Sequence, residues 1–145
     1  ILHDVTKALG PREQLALCDR FAVDLLPEER ENPKLLHAVT ASVVAREIFG
    51  ECEALCSAVR WHTTGKANMT LLEKILYIAD YAEPNRSFDG VERLRETLSR
   101  SLDDALLLGL SMTMEQLRSK GQTICGASSA AYVFLQQERN HTCHS

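Results

Sequence analysis

The chain has 145 residues, 45% of them apolar and 25% charged, with a formal net charge of −4. That make-up belongs to an ordinary globular domain. It excludes a fibrous or low-complexity chain and argues against nucleic acid as a partner. A phosphorylated small ligand is not excluded, because a bound metal ion can invert the local charge. No apolar run approaches the roughly 20 residues needed to span a bilayer, and no signal-peptide pattern is visible. Five cysteines without a CxxC pattern suggest reduced thiols and a cytoplasmic protein. Cys52 and Cys56, one helical turn apart, read as small apolar residues.

The chain opens on Ile1 and passes directly to Leu2-His3-Asp4, with none of the residues that usually start a helix. The expectation is that residue 1 lies inside a longer protein. Pro11 then starts a helix over 11–25 that carries Leu15, Leu17, Cys18 and Phe21 at helical spacing. Two prolines and many charges make 26–33 a connection. An amphipathic helix follows over 34–49 and is stopped by Gly50, with a shorter one over 52–62. Thr70 with Glu73 forms a capping box for a helix over 70–81, which Pro84 ends. Residues 91–119 hold one or two helices with a break near Ser99–Ser101. Gly121 is a stop, and 127–138 is the last helix. No segment alternates well enough to be a strand. The fold class expected is all-α, with one domain over 1–139 and a flexible tail at 140–145.

The informative residues are polar ones standing in apolar stripes. His37 shares a stripe with Thr40, Ala41, Val44 and Ile48. His62 follows Leu55, Ala58 and Val59 at i, i+3, i+4, i+7, and Asp80 follows Leu72 and Leu76 at i+4 steps. A carboxylate on a buried face is costly unless it is paired or holds a cation. Taken singly, each has a bland explanation. An inward histidine is commonly a hydrogen-bonded core residue, Asp80 could pair with Arg60 or Lys74, and Lys7 could be a solvated helix residue. Taken together with His3-Asp4, they are metal-ligand types from four segments turned toward one helical interior, which is how bundles build metal sites.

The order His3-Asp4, Lys7, His37, His62, Asp80 resembles the HD-domain metal-dependent phosphohydrolases. Three stretches carry the likeness: Leu2-His3-Asp4-Val5-Thr6-Lys7, Arg60-Trp61-His62-Thr63-Thr64-Gly65 and Ile78-Ala79-Asp80-Tyr81-Ala82-Glu83-Pro84-Asn85-Arg86. The last two resemble the YqeK-type branch, the symmetrical bis(5'-nucleosyl)-tetraphosphatases. The resemblance implies an HD-domain helical bundle and a site for two divalent ions, usually iron, with manganese and zinc as alternatives. Asp4 would bridge the ions, His3 and Asp80 would hold one, and His37 and His62 the other. A sixth ligand, a histidine on a helix before the His-Asp pair, would lie ahead of residue 1. The activity implied is symmetric cleavage of diadenosine tetraphosphate, a dinucleoside polyphosphate, to two ADP. Such a site acidifies a water and steadies an in-line displacement at phosphorus.

Around that core, Asp4 and Lys7 are the candidate catalytic residues. Lys7, Thr63, Thr64, Gly65, Lys66, Glu83 and Arg86 are the candidate substrate contacts. Lys7 and Arg86 can place cations on phosphate oxygens, and the 63–66 loop supplies hydroxyls and permissive backbone. Two other readings use the same residues: an HD phosphohydrolase acting on mononucleotides or cyclic dinucleotides, and a non-enzymatic helical interaction module. Arg93, Arg95 and Arg100, with their glutamate neighbours, read as a solvated face. Leu106, Leu107, Leu108 and Leu110 read as core or as the seam of a homodimer. His141, Cys143 and His144 look like a metal trio but fall on the expected tail.

Overall fold

The computed structural model of the protein describes residues 2–142. Its described residues form eight α-helices and a short 3-10 turn at Leu2–Asp4, with no strand among them. Backbone contacts divide the chain into two compact units, residues 1–63 and 64–145. No described helix is long and apolar enough to cross a membrane.

The first unit holds the Leu2–Asp4 turn, α1 (Pro11–Arg20), α2 (Pro27–Glu31), α3 (Pro33–Glu47) and α4 (Glu53–Trp61). Helix α3 is its hub and packs on α1, α2, α4 and the opening turn. The reason lies in its residues: Leu36, Ala38, Val39, Ala41 and Ala45 are buried, and the alanines let neighbouring backbones come close. Cys18, Leu36 and Val39 form a small core to which Leu15, Val23 and Leu25 add. Cys56 is buried and Cys52 exposed, both as free thiols. Helix α1 is shorter than the periodicity suggested. It ends at Arg20, where Ala22 turns left-handed (φ 50°) and the Val23 amide closes on the Cys18 carbonyl at 2.9 Å. The expected connection at 26–33 contains α2. Pro27 opens that helix, and the buried Glu29 carboxylate accepts from the Leu26 amide at 2.9 Å, satisfying one end-turn donor.

The second unit holds α5 (Leu71–Ala82), α6 (Val91–Leu98), α7 (Leu102–Ser119) and α8 (Gly126–Thr142). Here α7 is the hub and contacts α5, α6 and α8. The capping box forms as expected: the Thr70 amide donates to Glu73 (2.7 Å) and the Glu73 amide to the Thr70 hydroxyl (3.3 Å). The break near Ser99–Ser101 is real, and Ser101 caps α7 by accepting from the Asp104 amide. Leu106, Leu107 and Leu110 are buried together with Ile78, Leu94, Ala131 and Leu135, and Leu108 packs against that cluster. The leucine run is therefore core within this unit. Gly109 has a task there, since a Cβ on it would sit 3.2 Å from the Tyr81 ring. Helix α8 continues to Thr142, beyond the end expected at 138, and the His141 ring bonds the Gln137 carbonyl at 2.7 Å. Cys143 and His144 lie outside the described residues.

Candidate metal centre and active site

His37 stands one turn into α3 and His62 at the C-terminal cap of α4, so two helix ends deliver two imidazoles. Both rings are fixed in the same way. His37 Nδ1 lies 2.7 Å from the Lys34 carbonyl and His62 Nδ1 lies 2.7 Å from the Val59 carbonyl. A carbonyl only accepts, so both Nδ1 atoms carry the proton and the Nε2 lone pairs point elsewhere. They point at each other, with Nε2 to Nε2 at 3.2 Å. Asp4 Oδ1 completes the triangle, 3.4 Å from His37 Nε2 and 3.8 Å from His62 Nε2. Among the described residues, Asp4 Oδ1 is one of two buried side-chain atoms with no hydrogen-bond partner.

Three electron-rich atoms face one another in a part-buried place, an arrangement that repels unless positive charge stands among them. The point equidistant from the three lies about 2.0 Å from each, the usual distance from a first-row divalent ion to imidazole nitrogen or carboxylate oxygen. The donor set suits iron, manganese or zinc. Asp4, His37 and His62 thus fit a divalent cation.

The other Asp4 oxygen faces different partners. Oδ2 accepts from Lys7 Nζ at 2.7 Å and lies 3.6 Å from His3 Nε2. Burial would raise the Asp4 pKa, but the hydrogen bond from Lys7, its ammonium charge and the neighbouring imidazoles outweigh it. The carboxyl is held below its usual value and stays an anion at neutral pH. The His3 ring meets the His62 ring edge-on at 5.0 Å, so four of the expected residues gather in the first unit. Lys7 sits in a turn rather than on a helix, with its ammonium paired to Asp4.

Thr6 was not singled out from sequence and turns out to anchor this cluster. It is buried, its hydroxyl donates to the His37 carbonyl at 2.9 Å, and it lies 2.7 Å from the Thr40 hydroxyl. The opening turn is thereby pinned to α3. Its only advance signal was Thr40, another hydroxyl in the same inward stripe. Arg60 also has a defined place: it ion-pairs with the buried Glu29 and lies over the Trp61 ring.

The remaining candidates belong to the second unit, Thr63 excepted, which closes the first. Asp80 stands near the end of α5. Lys74 takes Asp103, and Asp80 takes Arg86. Arg86 Nη2 spans both Asp80 carboxylate oxygens at 3.1 and 3.2 Å, and its Nε donates to the Asp80 carbonyl at 3.1 Å. Glu83 caps α5 and stands 3.8 Å from Arg86 Nε. In the loop, the Thr64 hydroxyl is buried and donates to the Gly65 carbonyl, Gly65 takes a left-handed φ of 66°, and Lys66 pairs with Glu73 at 3.2 Å.

Arg95 corrects the sequence reading of a solvated face. Its Nε donates to the Ala82 carbonyl (3.0 Å), and its Nη2 donates to the carbonyls of Glu83 (2.6 Å) and Arg86 (3.0 Å). One planar guanidinium thus ties down the turn that carries Arg86, as a lysine could not.

The HD domain family model matches residues 1–85, and the chain belongs to the HD domain family of hydrolases, in the branch of the symmetrical bis(5'-nucleosyl)-tetraphosphatases. Within that branch it is 38% identical to a Bacillus subtilis protein named symmetrical bis(5'-nucleosyl)-tetraphosphatase, over 93% of this chain and 73% of that one. It is 44% identical to the Halalkalibacterium halodurans protein of the same name, over 73% of this chain and 57% of the other. A solved structure from Clostridium acetobutylicum, described as a predicted HD superfamily hydrolase involved in NAD metabolism, matches with a TM-score of 0.90 at 35% identity. That match covers 94% of this chain and 73% of the other.

Proposed function

We propose that this chain hydrolyses diadenosine tetraphosphate symmetrically to two ADP, using divalent ions held by His3, Asp4, His37, His62 and Asp80. The observation that carries the metal part is the triangle of Asp4 Oδ1, His37 Nε2 and His62 Nε2, with both imidazole tautomers set by helix carbonyls. Asp80 joins the ligand set through the family resemblance. The substrate comes from the names of the relatives.

Bound divalent ions supply the charge that acidifies a water and offsets charge developing at phosphorus. The protein's own groups do the rest. The Lys34 and Val59 carbonyls hold the two imidazoles in the ligating tautomer, so no reorganisation is needed when substrate arrives. Asp4 turns one oxygen to the place the two imidazoles also face, where a cation would sit, and the other to Lys7. Lys7 is half-exposed, so its ammonium can turn from Asp4 to a phosphate oxygen, and Arg86 clamps a second phosphate while still bonded to Asp80. Lys66 is already neutralised by the buried Glu73 and contributes less, with Thr63, Thr64, Gly65 and Glu83 as lesser contacts. Water adds to one of the two inner phosphorus atoms, the bond to the central bridging oxygen breaks, and each half leaves as ADP.

Chromatography of the products after incubation with diadenosine tetraphosphate and Fe²⁺, Mn²⁺ or Zn²⁺ tests this. ADP alone is expected. ATP with AMP would overturn the symmetric reaction while leaving the metal chemistry standing.

A further inference from the structure

Resting on that reading, we propose that a cleft in the second unit, between α5, the turn after it and α7, binds one adenine base of the substrate. The cleft measures about 620 Å³, within the roughly 300–1,000 Å³ typical of small-molecule sites. Arg86 lines it while its Nε and Nη2 bond Asp80, so the cleft shares a residue with the proposed phosphate clamp.

Three of its lining residues, Tyr81, Phe88 and Met112, supply apolar surface in an otherwise polar cleft that Gln116 and Ser119 also line. Tyr81 and Phe88 are stacked with ring centroids 4.9 Å apart and planes 25° from parallel, and both line the cleft half-buried. Met112 closes the apolar part with a polarizable thioether, which sits well against ring edges. Its position depends on Gly90, where φ is 90° and a Cβ would lie 2.7 Å from the Met112 methyl carbon. A purine fits such a surface by extending an existing stack.

Charge orients the ligand. The cleft has one cation, Arg86, and two carboxylates, Asp89 and Glu115. A polyphosphate laid across it would meet repulsion from Asp89 and Glu115. A base carrying an exocyclic amino group would meet acceptors there instead. Phosphate at Arg86 and an amino-bearing purine toward Glu115 is the orientation that satisfies both ends. It also selects adenine over hypoxanthine, which offers an oxygen at the same position.

Methyl NMR of the Zn²⁺-loaded protein with ¹³C-methyl methionine tests the cleft directly. The buried Met69 and Met114 serve as internal controls. ADP should move the Met112 signal and leave Met69 in place, whereas inorganic pyrophosphate should leave Met112 where it was. IDP should bind on the order of 10-fold more weakly than ADP, and Glu115→Ala should erase that preference. Phe88→Ala should weaken ADP binding by about 10-fold without changing pyrophosphate binding, which checks that the fold survives. An unmoved Met112 with equal affinity for ADP and pyrophosphate would overturn the base site. Failure of the proposed reaction reads out separately: a Met112 response to ADP in a protein that leaves diadenosine tetraphosphate intact supports the cleft and sinks the activity.

Discussion

The two carboxylates at the heart of the proposed site, Asp4 and Asp80, are supported in opposite ways. Asp80 has a dedicated cation in Arg86, with two bonds across its oxygens and a third to its own carbonyl. Asp4 has Lys7 on one oxygen, but its buried Oδ1 faces two imidazole lone pairs. Asp80 is balanced by a neighbouring guanidinium, whereas Asp4 is left open at one oxygen. A fold retains such an opening when something that binds will close it.

Substitutions sharpen that contrast. The largest effect is expected from His62→Ala, which removes one corner of the triangle. Losing a ligand should lower metal affinity by at least the ~10–100-fold seen for changes one layer further out. Metal analysis after dialysis would show it, and retained stoichiometry would contradict the assignment. Next comes Arg95→Ala, which leaves three carbonyls at the end of α5 without their donor. A stability loss of about 1–3 kcal/mol and a rise in KM for the nucleotide are expected, because the turn that holds Arg86 loosens. Arg95→Lys should recover little of either, since an ammonium cannot span the three acceptors. A smaller loss, about 1 kcal/mol, should follow Thr6→Val, which keeps the shape and removes the bond to the His37 carbonyl. Denaturant unfolding of the metal-free protein measures it, and no change would show that the Thr6 anchor is incidental.

The same contrast explains what the sequence revealed. His37 and His62 were legible because a 3.6-residue period places them among apolar neighbours, and periodicity is local information. The all-α fold, the capping box at Thr70 and the break before Ser101 were legible for that reason too. Arg95 was hidden, because three nearby glutamates and arginines look like any solvated helix face. Its partners are carbonyls 9 to 13 residues back, which no pattern of side chains reports. Helix α2 was hidden likewise. Pro27-Glu28-Glu29-Arg30-Glu31 has no apolar stripe, and it is held by Glu29 reaching Arg60 from 31 residues away. The pairings of Asp80 with Arg86 and of Lys74 with Asp103 were decided by distances only the folded chain contains.

The central claim is that the first unit presents preformed imidazole acceptors to a cation. Nitrogen-15 NMR of the histidine side chains, before and during Zn²⁺ titration, measures this most directly. Before metal, His37 and His62 should both be in the Nδ1–H tautomer, and on titration their Nε2 signals should shift together to the range of metal-ligated nitrogen. Nε2–H tautomers in the metal-free protein, or Nε2 signals indifferent to Zn²⁺, would contradict the account.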